Sequence, residues 1–229
     1  MILGGMLVRN EADRWLVQAC NQLHIICDQV YIIDDKSTDN TVNILKQYPF
    51  ILYESAKQWW EIDELKQRKK LFNMLWMAAK EGDVILILDA DELVSHPKKV
   101  REILTGNNSK VFGFRLYDMW SDTHYRDDQY WYAHYHFWPM AIRKGITENF
   151  TWNEQGLHCG RFPNNFHIDI HSMTTKGLKI KHMGWSTPKD REQKYKRYMA
   201  IDPDGKYGIL EQYLSILDPD PALRRFKDD

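Results

Sequence analysis

Residues 84–92 read Val-Ile-Leu-Ile-Leu-Asp-Ala-Asp-Glu: five apolar residues running directly into three carboxylates interrupted by one alanine. A short run that is wholly apolar, without alternation, suits a strand covered on both faces, as in a parallel sheet between helix layers. The pattern recurs towards the N-terminus. Val30-Tyr31-Ile32-Ile33 ends in Asp34-Asp35, and the apolar stretch Ile2 to Val8 leads to Asn10-Glu11. Ligands of open α/β sheets bind beyond the carboxyl ends of the strands. Three such ends therefore bring Asn10, Glu11, Asp34, Asp35, Asp89 and Asp91 towards one rim.

Helical spacing fills the intervals. Ala12, Trp15, Leu16, Ala19 and Leu23 share one face, with Asn10 placed to cap that helix. Ser37 to Tyr48 reads as a second helix, Phe50 to Tyr53 as a strand, and Leu65 to Ala79 as a longer helix closed by Gly82. After Lys110 strands dominate: Val111–Tyr117, Trp131–His136, Phe137–Arg143 and Lys179–Lys181, followed by helices over Pro188–Met199 and Ile209–Leu217. The expected architecture is α/β, one Rossmann-like domain over 1–229 with a mostly parallel central sheet. Its parts are residues 1–110, a mixed half at 111–187 and a C-terminal helical segment at 188–229.

Composition narrows the function classes. At 43% hydrophobic and 13% aromatic the chain is too apolar for disorder, and a net charge of −1 excludes a dedicated nucleic-acid binder. Cys20, Cys27 and Cys159 show no CxxC spacing, which favours a reducing compartment. The opening MILGGMLVRNEAD lacks a positive leader and reaches charge too early for a membrane span, so a soluble, cytoplasmic protein is expected. Trp and Tyr crowd between Trp120 and Trp152 beside Asp, Arg and His, a mixture suited to a cleft for a polar, ring-shaped ligand such as a sugar.

Asp89-Ala90-Asp91 can hold a hard divalent cation, which in turn can bridge the oxygens of a diphosphate. Alone, such a tripeptide more often caps a helix; behind a buried strand it suits a metal site. Asp34 or Asp35 can accept from a ribose hydroxyl or a base N–H. Gly4-Gly5 does not extend to GxGxxG, and no GxxxxGK[ST] loop exists, which disfavours nicotinamide and P-loop chemistry.

VRNEADRWL, VYIIDDKSTDNT and ILILDADE, in this order and spacing, resemble the family 2 glycosyltransferases of GT-A fold, strongly over the first 110 residues and more weakly to HMGW. The resemblance implies a metal-dependent, inverting transferase using Mn²⁺ or Mg²⁺ and a nucleoside diphosphate sugar, UDP-linked. It makes 1–110 the nucleotide-sugar half and 111–187 the acceptor side. Asp35 is implied at the base, with Glu11 near the nucleoside and Arg68 facing the nucleotide. Asp91 is implied as a metal ligand, Asp89 at the ribose or the metal's water shell, and His182 as a late metal ligand. Lys36 stands where Gly is usual in that family.

An inverting transferase needs a carboxylate to deprotonate the acceptor. The candidates are Glu154, expected in a partly dry setting beside Trp152, and Asp122 and Asp128, with Asp118 behind them. The basic run that includes Lys189, Arg191, Lys194, Lys196 and Arg197 reads as a solvated helix face, with one or two members reaching phosphates. The acceptor is open between carbohydrate, lipid-linked and protein, with at most peripheral membrane association. Two other functions compete: a sugar nucleotidyltransferase, which normally opens with a basic Gly-rich loop, and a non-catalytic carbohydrate- or nucleotide-binding module.

Overall fold

The computed structural model of this chain describes residues 1–59, 62–145, 149–155, 159–166, 173–174 and 177–228. Residues 156–158, 167–172 and 175–176, with His158, His167, His171 and Lys176 among them, lie outside the described residues.

Strand β1 (Ile2–Val8) is buried at every position. Ile2, Met6 and Val8 face one core and Leu3 and Leu7 the other. The first core is completed by α1 (Leu16–Ile26) and α4 (Pro97–Gly106), the second by α3 (Glu64–Ala78). Strand β4 (Val84–Ile87) divides in the same way, with Leu86 towards the first core and Ile85 and Ile87 towards the second. Double-sided burial is the physical reason these strands are apolar throughout. Gly4 and Gly5 serve packing: a Cβ would stand 2.7 Å from Cys27 Sγ at Gly4 and 2.5 Å from Leu75 Cδ1 at Gly5.

Beside β1 lie β2 (Gln29–Asp34) and then β3 (Ile51–Glu54), all parallel, and β4 pairs parallel on the other side of β1. Beyond β4 come β8 (Trp138–Arg143), β6 (Val111–Asp118), β10 (Lys179–His182) and β5 (Glu92–Val94), with β9 (Met173–Thr174) also on β6. Strand β8 is antiparallel to both β4 and β6, and β10 is parallel to β6. Two reversals restore the direction, so β1, β2, β4, β6 and β10 all end at one edge of a mostly parallel sheet. Residues from both sequence halves reach that edge. Among the described residues, no helix is long and apolar enough to cross a membrane.

Several local expectations are corrected. Helix α1 starts at Leu16, because residues 12–15 form turns, and Asn10 (φ 53°) points elsewhere than its N-terminus. Only Thr41–Leu45 (α2) of the Ser37–Tyr48 stretch is α-helical, because residues 37–39 bond to the β1 loop instead. Gly82 lies in the turn before β4, while α3 ends where Ala79 becomes extended. Trp131–His136 is not a strand; Ala133–Tyr135 forms a 3₁₀ turn.

The largest correction concerns the aromatic segment. Trp120 and Trp131 pack edge-to-face at 4.7 Å, with Trp185, Tyr213 and Ile216 closing a third core. Around it lie α5 (Pro188–Ile201) and α6 (Leu210–Ser215). Tyr130 packs against this core, and Trp152 packs on Phe72 of α3. The buried Arg126 guanidinium sits 4.8 Å from the Trp120 ring and pairs with Asp128 at 2.6 Å. Trp120 and Trp131 are thus interior packing rather than cleft lining, whereas Tyr130 and Trp152 are half-buried and Tyr132, Tyr135 and Trp138 are exposed. A final pairing joins β7 (His124–Arg126) to β11 (Leu223–Arg225).

Candidate active site

The loops after β1 and β2 clasp one another. Asn10 Oδ1 accepts from Thr38 N at 2.7 Å, and Ser37 Oγ accepts from Asn10 N at 2.9 Å. Thr41 Oγ1 accepts from Glu11 N at 2.8 Å, while Asp39 accepts from the backbone of both Ala12 and Thr41. Much of the polar string is therefore scaffold: short side chains satisfying backbone N–H groups that no helix or sheet uses. Lys36 has φ 61°, a left-handed position that favours glycine.

Asp34 and Asp35 face different surroundings. Asp35 is buried; both its oxygens accept from Trp59 N at 3.0 Å, and Oδ1 also accepts from Gln67 Nε2 at 2.7 Å. Asp34 Oδ2 accepts from Ser37 N at 3.0 Å, whereas its buried Oδ1 has no hydrogen-bond partner among the described residues.

The two acids of the 89–91 motif are held by different cations. Arg68 grips Asp89 through both oxygens, at 2.6 and 3.0 Å, and also pairs with Glu64. Arg161 pairs with Glu92 and lies 3.9 Å from Asp89. Burial alone would raise the Asp89 carboxyl, but Arg68 and then Arg161 hold it below its ordinary value. Arg68 thus faces Asp89 directly.

Asp91 faces His182 across the rim, Oδ2 to Nε2 at 3.6 Å. On its other side the His182 ring donates from Nδ1 to Asp118 at 2.8 Å. Asp118 ends β6 and His182 ends β10, and the two are register partners. Lys194 of α5 places Nζ 3.4 Å from both Asp91 Oδ2 and His182 Nε2. Burial opposes ionisation of Asp91, yet Lys194, His182 and Arg14 hold it well below the usual carboxylate range. Burial and Lys194 press His182 towards neutrality, but Asp91 and Asp118 prevail and carry it up to about 9. Glu11, paired with Arg14 at 2.8 Å, is pushed up to about 8 by burial and by Asp91.

A divalent ion fits this pair. Two cis donors at about 2.1 Å from one ion stand about 3 Å apart, so Asp91 Oδ2 and His182 Nε2, at 3.6 Å, would draw together by about half an ångström to share one ion in that way. A carboxylate behind the other imidazole nitrogen is the usual support of a metal-binding histidine. Among the described residues, no group of three or more His, Cys, Asp or Glu side chains is arranged to hold a metal ion by itself.

The acceptor-side acids are dispersed. Asp128 is engaged by Arg126 and by the backbone of Tyr130 and Trp131, and Asp122 is exposed beyond β6. Glu154 is 68% exposed and ion-paired with Lys69, so the dry setting expected for it is absent. Its partner Lys69 follows Arg68 in sequence on α3, but successive helix residues point in different directions, so this pair alone does not bring Glu154 to the rim.

The family described as Glycosyl transferase family 2 matches residues 10–171, well over half of the chain. The chain belongs to this family. An uncharacterized protein from Mycobacterium tuberculosis and one from Mycobacterium bovis are each 24% identical over 220 residues, covering 89% of this chain and 51% of the relative. The chain therefore spans about half the length of these curated relatives. Among solved structures, S. aureus TarS superposes over 94% of this family 2 chain and 42% of TarS, with TM-score 0.50 and 13% identity. The TarS 1–349 structure gives TM-score 0.51 at 15% identity over 94% of this chain and 71% of that one. Both share the GT-A fold of this glycosyltransferase family member.

Sequence reasoning missed Arg14, Arg161, Asp190 and Gly184 at the rim. For Asp190 and Lys194 the signal was available: at i and i+4 they share one face of α5, with Asp190 3.1 Å from Arg14 Nε. Arg161 carried no such signal.

Proposed function

We propose that this chain holds the donor site of a metal-dependent, inverting glycosyltransferase using a nucleoside diphosphate sugar, with UDP as the nucleotide. The observation that carries the reading is the Asp91–His182 pair, backed by Asp118, at the shared edge of the parallel strands. Asp91 and His182 would hold Mn²⁺ or Mg²⁺, with diphosphate oxygens and water completing its coordination. Bound there, the ion would neutralise charge developing on the departing diphosphate.

The protein's own groups supply the rest. Asp89, kept ionised by Arg68, retains partial exposure through which it can accept from a ribose hydroxyl. The two acids after β2 are the candidates for the base, with Asp34 Oδ1 an acceptor that has no hydrogen-bond partner among the described residues. Asn10 and Glu11 set the loop that faces the nucleoside. On the acceptor side Glu154 is the favoured base: its exposed carboxylate can take the proton as the acceptor oxygen attacks the anomeric carbon and the diphosphate leaves. Asp128 is committed to Arg126. Gly4 and Gly5 lie inside β1, which counts against a nucleotidyltransferase phosphate loop.

A thermal-shift screen of nucleotide sugars with and without Mn²⁺ tests the donor. A UDP-sugar should raise the melting temperature only with the metal; a purine donor doing so instead would refute the UDP assignment. Glu154→Gln should lower turnover by about a hundredfold or more with donor affinity unchanged. Near-normal transfer by that variant would remove Glu154 from the mechanism.

A further inference from the structure

The expected solvated face of α5 is not what Lys194 occupies. Its ammonium lies 3.4 Å from Asp91 Oδ2, 3.4 Å from His182 Nε2 and 4.3 Å from the centre of the Trp185 ring. Gly184 permits this convergence. A Cβ there would stand 2.1 Å from Lys194 Nζ, 2.3 Å from Asp91 Oδ2 and 2.9 Å from His182 Nε2. A cation already occupies the approach to the two donors that a divalent ion would use.

We propose that Lys194 is a built-in counter-cation that competes with the divalent metal for Asp91 and His182, making metal entry dependent on the nucleotide. This rests on the metal reading above and adds the order of binding to it. Without nucleotide, Asp91 is already compensated by Lys194 together with His182 and Arg14, and of these the Lys194 ammonium stands at hydrogen-bond range where an incoming metal would meet it. A nucleoside diphosphate brings negative charge that draws the ammonium from Asp91 onto a phosphate oxygen. Asp91 then becomes available to the metal, His182 Nε2 would join it by releasing its proton to solvent, and the cation count at the site rises only when anion is present to balance it. The long 3.4 Å contacts suit a partner that must leave. The aromatic ring beside the ammonium and its place on helix α5 keep it within reach of the same rim.

The test is Mn²⁺ binding followed by electron paramagnetic resonance of the free ion, with Mn²⁺ alone and with Mn²⁺ plus UDP, on the wild-type chain and on Lys194→Met. The wild type should bind Mn²⁺ alone weakly and UDP should tighten it. Lys194→Met should bind Mn²⁺ alone about tenfold or more tighter and lose most of the tightening by UDP. Lys194→Gln serves as a second neutral variant should the methionine protein fail to fold, and Lys194→Arg should behave as wild type. A purely structural lysine gives no tighter binding on neutralisation, so unchanged or weaker Mn²⁺ affinity in both neutral variants overturns the proposal. Wild-type protein that binds no Mn²⁺ even with UDP overturns the metal reading itself, a separately recognisable result.

Discussion

Asp118 shows how a residue acquires a role that its sequence position does not display. It lies 64 positions from His182, yet the β6–β10 register sets its carboxylate on the imidazole Nδ1 and on the Trp185 indole N–H. Asp118→Asn should weaken Mn²⁺ binding by about 10- to 100-fold, the usual effect of losing a carboxylate behind a metal-binding histidine. Titration of Mn²⁺ in the presence of UDP checks this, and an unchanged affinity would show that His182 orients itself. Lys36 gives a second residue-scale expectation. A lysine at φ 61° costs about 1–2 kcal/mol, partly offset by its lower chain entropy when unfolded. Lys36→Gly should therefore leave stability equal or up to about 1 kcal/mol higher in thermal unfolding; a clear loss would mean that the lysine side chain has an uncounted partner. At this scale Asp89 and Asp91 were legible because a buried strand points at them. Asp118 was read only as a candidate base and Arg161 not at all, because long-range pairing alone sets the one behind His182 and the other beside Asp89.

Elements were legible in proportion to how fully their packing shows in local pattern. Strands β1, β2 and β4 are apolar on both faces, and their positions were readable to within a residue or two. Strands β5, β7 and β11, with three residues each, exist through their partners and leave no periodic trace. Trp120 and Trp131 misled because a buried Arg126 and its acids give an interior cluster the composition of a binding cleft. Helix α3 carries both Phe72 and the Arg68 that grips Asp89. Phe72 is fully buried against Trp76, Phe150 and Trp152, so Phe72→Ala should cost about 3–5 kcal/mol in denaturant unfolding. A smaller loss would mean that this face collapses around the cavity. After α5, Asp202 accepts from Lys206 N, Tyr207 N, Gly208 N and Tyr213 Oη. Burial opposes its charge, but these donors hold the carboxyl below its ordinary value. Its contribution to stability is thus full above about pH 4 and declines as pH falls through the lower folded-state value. Asp202→Asn should melt below wild type at pH 7, with the gap narrowing towards pH 3; a gap independent of pH would contradict this origin.

At the scale of the whole molecule, one antiparallel strand between β4 and β6 lets both sequence halves end their parallel strands at a single edge. That arrangement gathers Asp89 and Asp91 from β4, Asp118 from β6 and His182 from β10, and α5 leans Lys194 over them. The family match covers residues 10–171 and stops short of His182, so the pairing of Asp91 with His182 is the claim most in need of direct measurement. Calorimetric titration of UDP into the wild-type chain and Asp91→Ala, each in Mn²⁺ and in excess chelator, tests it. The account predicts that wild type binds UDP about tenfold or more tighter with Mn²⁺ than with chelator, and that Asp91→Ala folds normally but binds equally weakly in both. Wild-type affinity indifferent to the metal, or a metal dependence that survives in Asp91→Ala, would contradict it.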